Sequence, residues 1–369
     1  MWAYRNPVTV RFGWDALSQL PAVLGARDAV LVTFPEARAM GLVERIRALV
    51  GTRLREVIED VEPNPETSWF AQRYDTFWKR NAGVTLIAVG GGSAIDTAKL
   101  LQVATPRADY GSLFEALANG RQPVVARAMP LIAIPTTAGT GSEVTPWATL
   151  WDRTSAAPKK YSLHVEETWP EAALVDPALT LSAPTAVARN SALDALSHSL
   201  ESIWNLNSNP VSDALAVEAA RGVIATLPAL LENPRDPEPR MAMSRASLMA
   251  GLAFSNTRTA LAHSISYEMT LRHGLPHGLA CSFTLPLVWR LAAGVNRERD
   301  QVLGRVFGAS QAEPWRALAD FLHGVGVKTS FSDYGVGREE AHGMIKHALD
   351  GARGRNFVNA APQLDESIA

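Results

Sequence analysis

The run Val84-Thr85-Leu86-Ile87-Ala88-Val89, followed at once by Gly90-Gly91-Gly92-Ser93, constrains this chain more than any other feature. A nearly continuous apolar run of strand length fits a strand covered on both faces, as in a parallel α/β sheet. Glycines directly after it let the backbone approach a ligand. A helix beginning near Ala94 would add unpaired N–H groups and a favourable dipole. A pyrophosphate fits such a junction, although the spacing is not that of the G-x-G-x-x-G fingerprint. A plain glycine-rich strand-to-helix turn explains the same residues equally well, with Asp96 and Lys99 as an i,i+3 surface pair.

A second loop shifts that balance. The apolar run Pro130–Pro135 leads into Ile134-Pro135-Thr136-Thr137-Ala138-Gly139-Thr140-Gly141-Ser142-Glu143. The hydroxyls of Thr136, Thr137, Thr140 and Ser142 are interleaved with glycines and can donate to phosphate, ribose or nicotinamide amide oxygens. Two such loops after two strands of one sheet form a crevice at the strands' carboxyl ends, where α/β proteins bind ligands.

Other segments of the first half alternate in the same manner. Strands are expected at Asp28–Thr33 and, more weakly, Arg55–Ile58, with helices at about 35–50 and 65–81. From about Pro184 onward, Ala- and Leu-rich amphipathic segments take over. Ala192, Leu193, Leu196, Leu200 and Ile203 follow a helical stripe, and Asn233–Pro239 is a proline-rich break. The expected architecture is an α/β nucleotide-binding domain with a parallel sheet over residues 1–184. An all-helical metal-binding domain is expected over 185–369.

Composition narrows the function classes. The 35 basic and 37 acidic side chains nearly cancel, which argues against a nucleic-acid surface. Cys281 is the single cysteine, so an intrachain disulfide is impossible and a cysteine-based zinc site is ruled out. The first twelve residues do not read as a signal peptide, and no uncharged apolar run approaches the roughly 20 residues that span a bilayer. The expectation is a cytoplasmic enzyme with neither membrane nor nucleic-acid partner.

The helical half carries a second constellation. Asp194 and His198 are four apart and project from one helix face. His263 lies in an apolar helical segment, and His277 in the turn Leu271-Arg272-His273-Gly274-Leu275-Pro276-His277-Gly278. Singly, these are a surface pair, a core histidine and a turn residue. Together, one carboxylate and three imidazoles suit a divalent transition metal with open coordination positions.

With these motifs in place, the sequence resembles the iron-containing, group III alcohol dehydrogenases over nearly its whole length. Gly90–Lys99 looks like that family's first cofactor loop, and Pro135–Thr145 is similar to its second. Val175-Asp176-Pro177-Ala178-Leu179-Thr180 looks like the linker strand before the helical domain. Asp194, His198, His263 and His277 match the four metal-ligand positions. The resemblance implies Fe2+, with Zn2+ also acceptable to the ligands, NADH or NADPH as hydride source, small aldehyde or alcohol substrates, and a homodimer. Gly90, Gly91, Gly92, Ser93, Asp96, Thr136, Thr137, Thr140, Ser142 and Lys160 are then the cofactor-binding candidates.

Two departures stand out. Val32-Thr33-Phe34-Pro35 lacks the carboxylate with which many relatives bind the adenine ribose, opening the way to NADPH. Tyr267 stands where many relatives place a further His, which leaves Tyr267 and Ser266 as candidate proton donors. Trp2–Val8, Lys159–Leu163, Ser255–Thr259 and Leu279–Pro286 look like the phosphonate-associated branch, which reduces phosphonoacetaldehyde to 2-hydroxyethylphosphonate. Arg258, five residues before His263 in the same expected helical region, is the candidate phosphonate ligand. Lys160 is a further candidate, and Arg272 reads as a solvated surface residue. A short-chain alcohol or lactaldehyde-type dehydrogenase, a dehydroquinate synthase-like cyclase and a non-catalytic nucleotide-binding regulator are the alternatives.

Overall fold

Short apolar strands that must be covered on both faces assemble into a parallel sheet. The computed structural model describes residues 1–153, 155, 158–308 and 313–364. Its strands are β1 (Thr9–Phe12), β2 (Ala29–Thr33), β3 (Leu54–Ile58), β4 (Thr85–Gly90), β5 (Val103–Ala104), β6 (Arg127–Ala128), β7 (Leu131–Pro135), β8 (Ala148–Asp152), β9 (Lys159–Leu163) and β10 (Ala172–Val175). Six form one sheet in the order β1-β10-β7-β4-β2-β3, every pairing parallel. Strands β5 with β6 and β8 with β9 pair separately and antiparallel.

Burial explains which strands the periodicity reveals. β2, β4 and β7 are buried at every residue. β1, at the sheet edge, reads Thr-Val-Arg-Phe and is largely exposed, so it lacks a continuous apolar run. β10 reads Ala-Ala-Leu-Val. It is too alanine-rich to separate from a helix segment by pattern. The linker expected as a strand at 175–180 is strand only at Val175. Pro177–Thr180 forms a 3-10 turn, where the Asp176 carboxylate accepts the backbone N–H groups of Asp15, Leu17 and Ala178.

The chain divides into two compact units. The first comprises Pro7–Thr137 and Ser142–Thr180 and contains the sheet. Its helices are α1 (Leu20–Leu24), α2 (Leu42–Val50), α3 (Thr67–Asn81), α4 (Gly92–Gln102) and α5 (Tyr110–Ala118). The helix expected over about 35–50 is split. A 3-10 turn at Pro35–Ala37 precedes Gly41, whose left-handed φ of 73° starts α2 afresh.

The second unit comprises Met1–Asn6, Ala138–Gly141 and Leu181–Ala369. Two pieces of the N-terminal half therefore belong with the helices, which a single boundary near residue 184 does not describe. Tyr4 donates its hydroxyl to Leu252 O, and the Asn256 amide bonds both backbone groups of Arg5. The helices are α6 (Thr185–Ile203), α7 (Pro210–Glu232), α8 (Pro237–Thr257), α9 (Leu261–His273), α10 (His277–Ser282), α11 (Leu285–Ala292), α12 (Arg297–Phe307), α13 (Pro314–Gly324) and α14 (Arg338–Asp350). By length and composition α7 could cross a membrane. In this fold it packs between α6 and α8 and carries Asp213, Glu218 and Arg221.

Candidate metal centre and cofactor loops

In the sheet unit, the chain runs outward from β2 to β3 and then returns to place β4 on the other side of β2. This reversal is a topological switch point, and the Gly90–Ser93 turn sits at its carboxyl end. Gly90 adopts φ +156°, and a methyl there would lie 2.6 Å from Ala94 Cβ and 3.2 Å from the Phe34 ring. Gly91 is the N-cap of α4 and supplies no side-chain cap. An uncapped helix start on an open strand-to-helix turn suits a phosphate group. Ser93 accepts the Asn64 backbone N–H, and Thr136 N–H donates to Gly90 O.

Asp96 and Lys99 are not a surface pair. Lys99 is fully buried, and its ammonium donates to Ser142 O (2.6 Å), Ser142 Oγ (2.9 Å) and Trp147 O (2.8 Å). Asp96 accepts Ser142 Oγ on one oxygen and Thr149 N and Oγ1 on the other. The structure thus places Asp96 and Ser142 in a clamp that holds the second loop to α4. Burial pulls the Lys99 amine down to about 8 and pushes the nearby Glu143 carboxyl up to about 7. Thr33 is buried with its hydroxyl donating to Val89 O, so the end of β2 presents no carboxylate. Thr137 lies beside Gly91, where a methyl would meet its Oγ1 at 3.4 Å. Lys160, on β9, stands 4.8 Å over the Trp151 ring.

Thr140 belongs to the helical unit, where its neighbours Gly139 and Gly141 press against α6 and α8. A methyl on Gly139 would sit 2.4 Å from Ser191 O, and one on Gly141 2.6 Å from Gly251 Cα. Gly278 is tighter still, at 1.8 Å from Asn190 O. That contact seats the start of α10 on α6 and sets His277 over Asp194.

The four expected ligands converge. Asp194 Oδ1 lies 3.3 Å from His263 Nε2, 3.8 Å from His198 Nε2 and 3.8 Å from His277 Nε2. The His198 ring stacks on Phe254 at 4.0 Å and on His263 at 4.6 Å. The side chains of Asp194, His198 and His263 are 4–6 % exposed, whereas His277 is 31 % exposed, so the cluster opens on the His277 side. Asp194 Oδ1 and His263 Nε2 are buried without a hydrogen-bond partner. These two atoms face each other at 3.3 Å, and either a proton on His263 or a cation held between them satisfies both. The donor chemistry therefore fits a divalent transition metal.

The electrostatics favour the ligand forms of Asp194 and His198, and not that of His263. Burial opposes ionisation of Asp194, but the imidazoles of His198, His277 and His263 outweigh it and hold the carboxyl well below the usual range. Burial drives His198 down to about 4, in the neutral, ligand-competent form. Burial also works against protonation of His263, yet Cys281, Glu201 and Asp194 raise it well above its ordinary value.

Two residues of this cluster escaped the sequence reading. Glu201 is fully buried and accepts from His263 Nδ1 at 2.7 Å. Its signal was present, because 194, 198 and 201 lie at i, i+4 and i+7 on one face of α6. Cys281 brings its sulfur within 4.8 Å of the ligand atoms of Asp194, His263 and His277. The exclusion of a cysteine-based site therefore applies to multi-thiolate centres and not to one thiol among imidazoles.

The expected placement of Arg258 is corrected. Helix α8 ends at Thr257, α9 begins at Leu261, and Arg258 between them has φ 70° and ψ 174°. That region is almost confined to glycine. The turn is clamped: Asn205 donates to Arg258 O, Asn356 donates to Thr259 O, and Glu201 accepts Ala260 N–H. Arg353 donates to Thr259 Oγ1 and lies 4.8 Å over the ring of Tyr267, one helical turn beyond His263. Burial raises the Tyr267 phenol despite opposition from Arg353 and His263. Ser266 Oγ donates to His263 O. Arg272 is an exposed partner of Glu268 at 3.1 Å.

Comparison with known proteins accords with this geometry. Residues 7–177 match the family profile "Iron-containing alcohol dehydrogenase", and residues 188–365 match "Fe-containing alcohol dehydrogenase family, C-terminal". The NAD-dependent methanol dehydrogenase of Bacillus methanolicus is 31% identical over 342 residues, covering 89% of this chain and 87% of the relative. Long-chain-alcohol dehydrogenase 1 of Geobacillus thermodenitrificans is 30% identical, covering 94% and 90%. The solved sulfoacetaldehyde reductase of Bifidobacterium kashiwanohense, in complex with NAD+, superposes with TM-score 0.86 at 27% identity, covering 100% and 96%.

Proposed function

Because the chain belongs to the iron-containing alcohol dehydrogenase family, we propose that it is an NAD(P)H-linked reductase of a small anionic aldehyde, with phosphonoacetaldehyde reduced to 2-hydroxyethylphosphonate. The observation that carries this reading is the Arg353 guanidinium, held 4.8 Å over the ring of Tyr267, which shares a helix face with His263. A planar fork of N–H donors near a metal-binding histidine suits a phosphonate, which it can bind bidentately. Arg258, at the head of the same turn, offers a second guanidinium. The likeness to a reductase of sulfoacetaldehyde, another short aldehyde bearing an anion, supports the same substrate class.

The residues divide the work. Asp194, His198, His263 and His277 would hold the ion, and the turn after β4 with the second loop would hold the dinucleotide. The ion supplies Lewis acidity toward an aldehyde oxygen, and the nicotinamide supplies the hydride. Tyr267, with its phenol raised by burial, carries a proton at neutral pH within the cluster's surroundings and is the proposed donor. Arg353 and Arg258 would fix the anionic end of the substrate, so that binding energy orients the carbonyl.

The test follows cofactor oxidation by the metal-loaded enzyme, with phosphonoacetaldehyde, sulfoacetaldehyde and an uncharged aldehyde of similar size, using NADH and NADPH in parallel. A kcat/KM advantage of 10-fold or more, roughly one charge-assisted hydrogen bond, is expected for the anionic aldehydes. Equal or better turnover of the uncharged aldehyde would remove the anionic substrate and leave a general alcohol dehydrogenase, the class that the methanol and long-chain-alcohol relatives represent.

A further inference from the structure

The sheet order sets where each half of a dinucleotide would go. Strand β4 lies between β7 and β2. A pyrophosphate at the start of α4 leaves one half of the cofactor over β7, whose chain continues into the hydroxyl-rich second loop. The other half, the adenosine, then lies over the carboxyl end of β2. Phe34 stands at that end, where a methyl on Gly90 would lie 3.2 Å from its ring. Strand β3 is the next neighbour, with Val32 level with Ile58, and Val61 N–H donates back to Thr33 O at 3.3 Å. Residues that follow β3 therefore stand beside the end of β2, about one strand spacing, ~4.8 Å, away.

This corner of the sheet unit is acidic. Residues 34–38 and 59–62, which follow β2 and β3, carry Glu36, Glu59, Asp60 and Glu62 against one base, Arg38. Glu44 from α2 and Arg73 from α3 add one charge of each sign. Arg38 is held from two sides. Its Nε lies 2.9 Å and 3.2 Å from the two Glu59 oxygens, and its Nη1 lies 3.1 Å from Glu44 Oε1. An adenosine 2′-hydroxyl is neutral and can donate to a carboxylate in such surroundings. A 2′-phosphate carries about two negative charges near pH 7. It would have to displace Glu59 from Arg38 and then stand beside the displaced carboxylate.

We propose that the Arg38–Glu59 pair selects the dinucleotide and favours NADH over NADPH. Glu59, one strand over, supplies the negative charge that the end of β2 lacks. This inference rests on the nicotinamide-dependent reading above and names the cofactor that reading leaves open. Arg38 is the group that a 2′-phosphate would need, because a guanidinium binds phosphate bidentately, and Glu59 keeps it engaged. The Arg38 and Glu59 side chains are 48 % and 38 % exposed, so added salt should weaken the discrimination.

The test titrates the metal-loaded enzyme with NADH and with NADPH and reads the fluorescence of the bound nicotinamide, without any aldehyde. The Kd for NADH should be lower by about 10-fold or more, the cost of setting like charges together, and the gap should narrow as salt is added. Glu59→Gln keeps the shape and removes the charge. In that variant the ratio of the two Kd values should move toward NADPH by about 10-fold or more, roughly one hydrogen bond to a charged group. Adding Arg38→Gln to it should cancel the shift. Equal or tighter binding of NADPH by the unaltered enzyme, or an unchanged ratio in Glu59→Gln, would overturn the proposal and leave the dehydrogenase reading standing. A shift that survives Arg38→Gln would overturn the part given to Arg38. Binding of neither dinucleotide would overturn the dehydrogenase reading as well.

Discussion

Glu201 Oε2 lies 2.7 Å from His263 Nδ1, and the same carboxylate accepts the backbone N–H groups of Ala260 (2.8 Å) and His263 (3.2 Å). One buried side chain on α6 therefore holds both the ring and the helix start that deliver His263 to Asp194. With Nδ1–H committed to Glu201, Nε2 is the nitrogen that faces the cluster, an arrangement common behind metal-binding histidines.

Replacing Glu201 with Gln should weaken metal binding by about 10- to 100-fold, the usual cost of losing such a partner. Competition with a chelator of known affinity reads this directly. If affinity is unchanged while only Tm drops, Glu201 supports the helix start and does not tune the ligand.

Gly278 and Gly274 separate close packing from backbone freedom. Gly278→Ala puts a methyl 1.8 Å from the backbone oxygen of Asn190, a contact that no rotamer can relieve. Gly274→Ala meets open space, but at a left-handed φ of 69°. The expected loss at Gly274 is about 1 kcal/mol. Gly278→Ala should cost more than about 3 kcal/mol and release His277 from Asp194, abolishing metal uptake. Similar denaturant midpoints for the two variants would refute this account of the α10–α6 contact.

The buried Glu143 and Lys99 should give the sheet unit a stability minimum between about pH 7 and 8. Glu143 has a folded pKa of about 7 against an ordinary 4.5, so the native state holds an extra proton between these values and loses stability as pH rises through them. Lys99 has about 8 against 10.5, so the unfolded chain holds the extra proton there and stability recovers with rising pH. Each limb is on the order of 3 kcal/mol. Glu143→Gln should flatten the acid limb and spare the alkaline one. Urea midpoints measured from about pH 5 to pH 10 check this, and an unaltered acid limb in that variant sinks it.

Arg353→Gln should raise KM for phosphonoacetaldehyde about 10- to 100-fold, corresponding to a lost hydrogen bond to a charged group. Turnover of an uncharged aldehyde should be nearly unaffected. An equal loss on both substrates would mean that Arg353 supports the Thr259 turn and does not bind substrate.

Much of the architecture is legible in the chain itself. β2, β4 and β7 are buried throughout, so each carries a continuous apolar run, and glycines where backbones must touch are equally visible. Asp194 and His198 could be paired from sequence because helix spacing of four is a local rule. Edge strand β1 escaped because half-exposed residues need no apolar pattern. Only the tertiary fold could decide that His263 and His277 meet Asp194, since that depends on Gly278 seating α10 against α6. It likewise withdrew Lys99 from the surface, because a buried ammonium needs the carbonyls of a loop more than forty residues away. It ended α8 before Arg258 and brought Cys281, otherwise an ordinary apolar helix residue, to the metal ligands. Periodicity records which face of an element is covered, whereas the neighbour that covers it comes from a distant segment and leaves no mark in the local pattern.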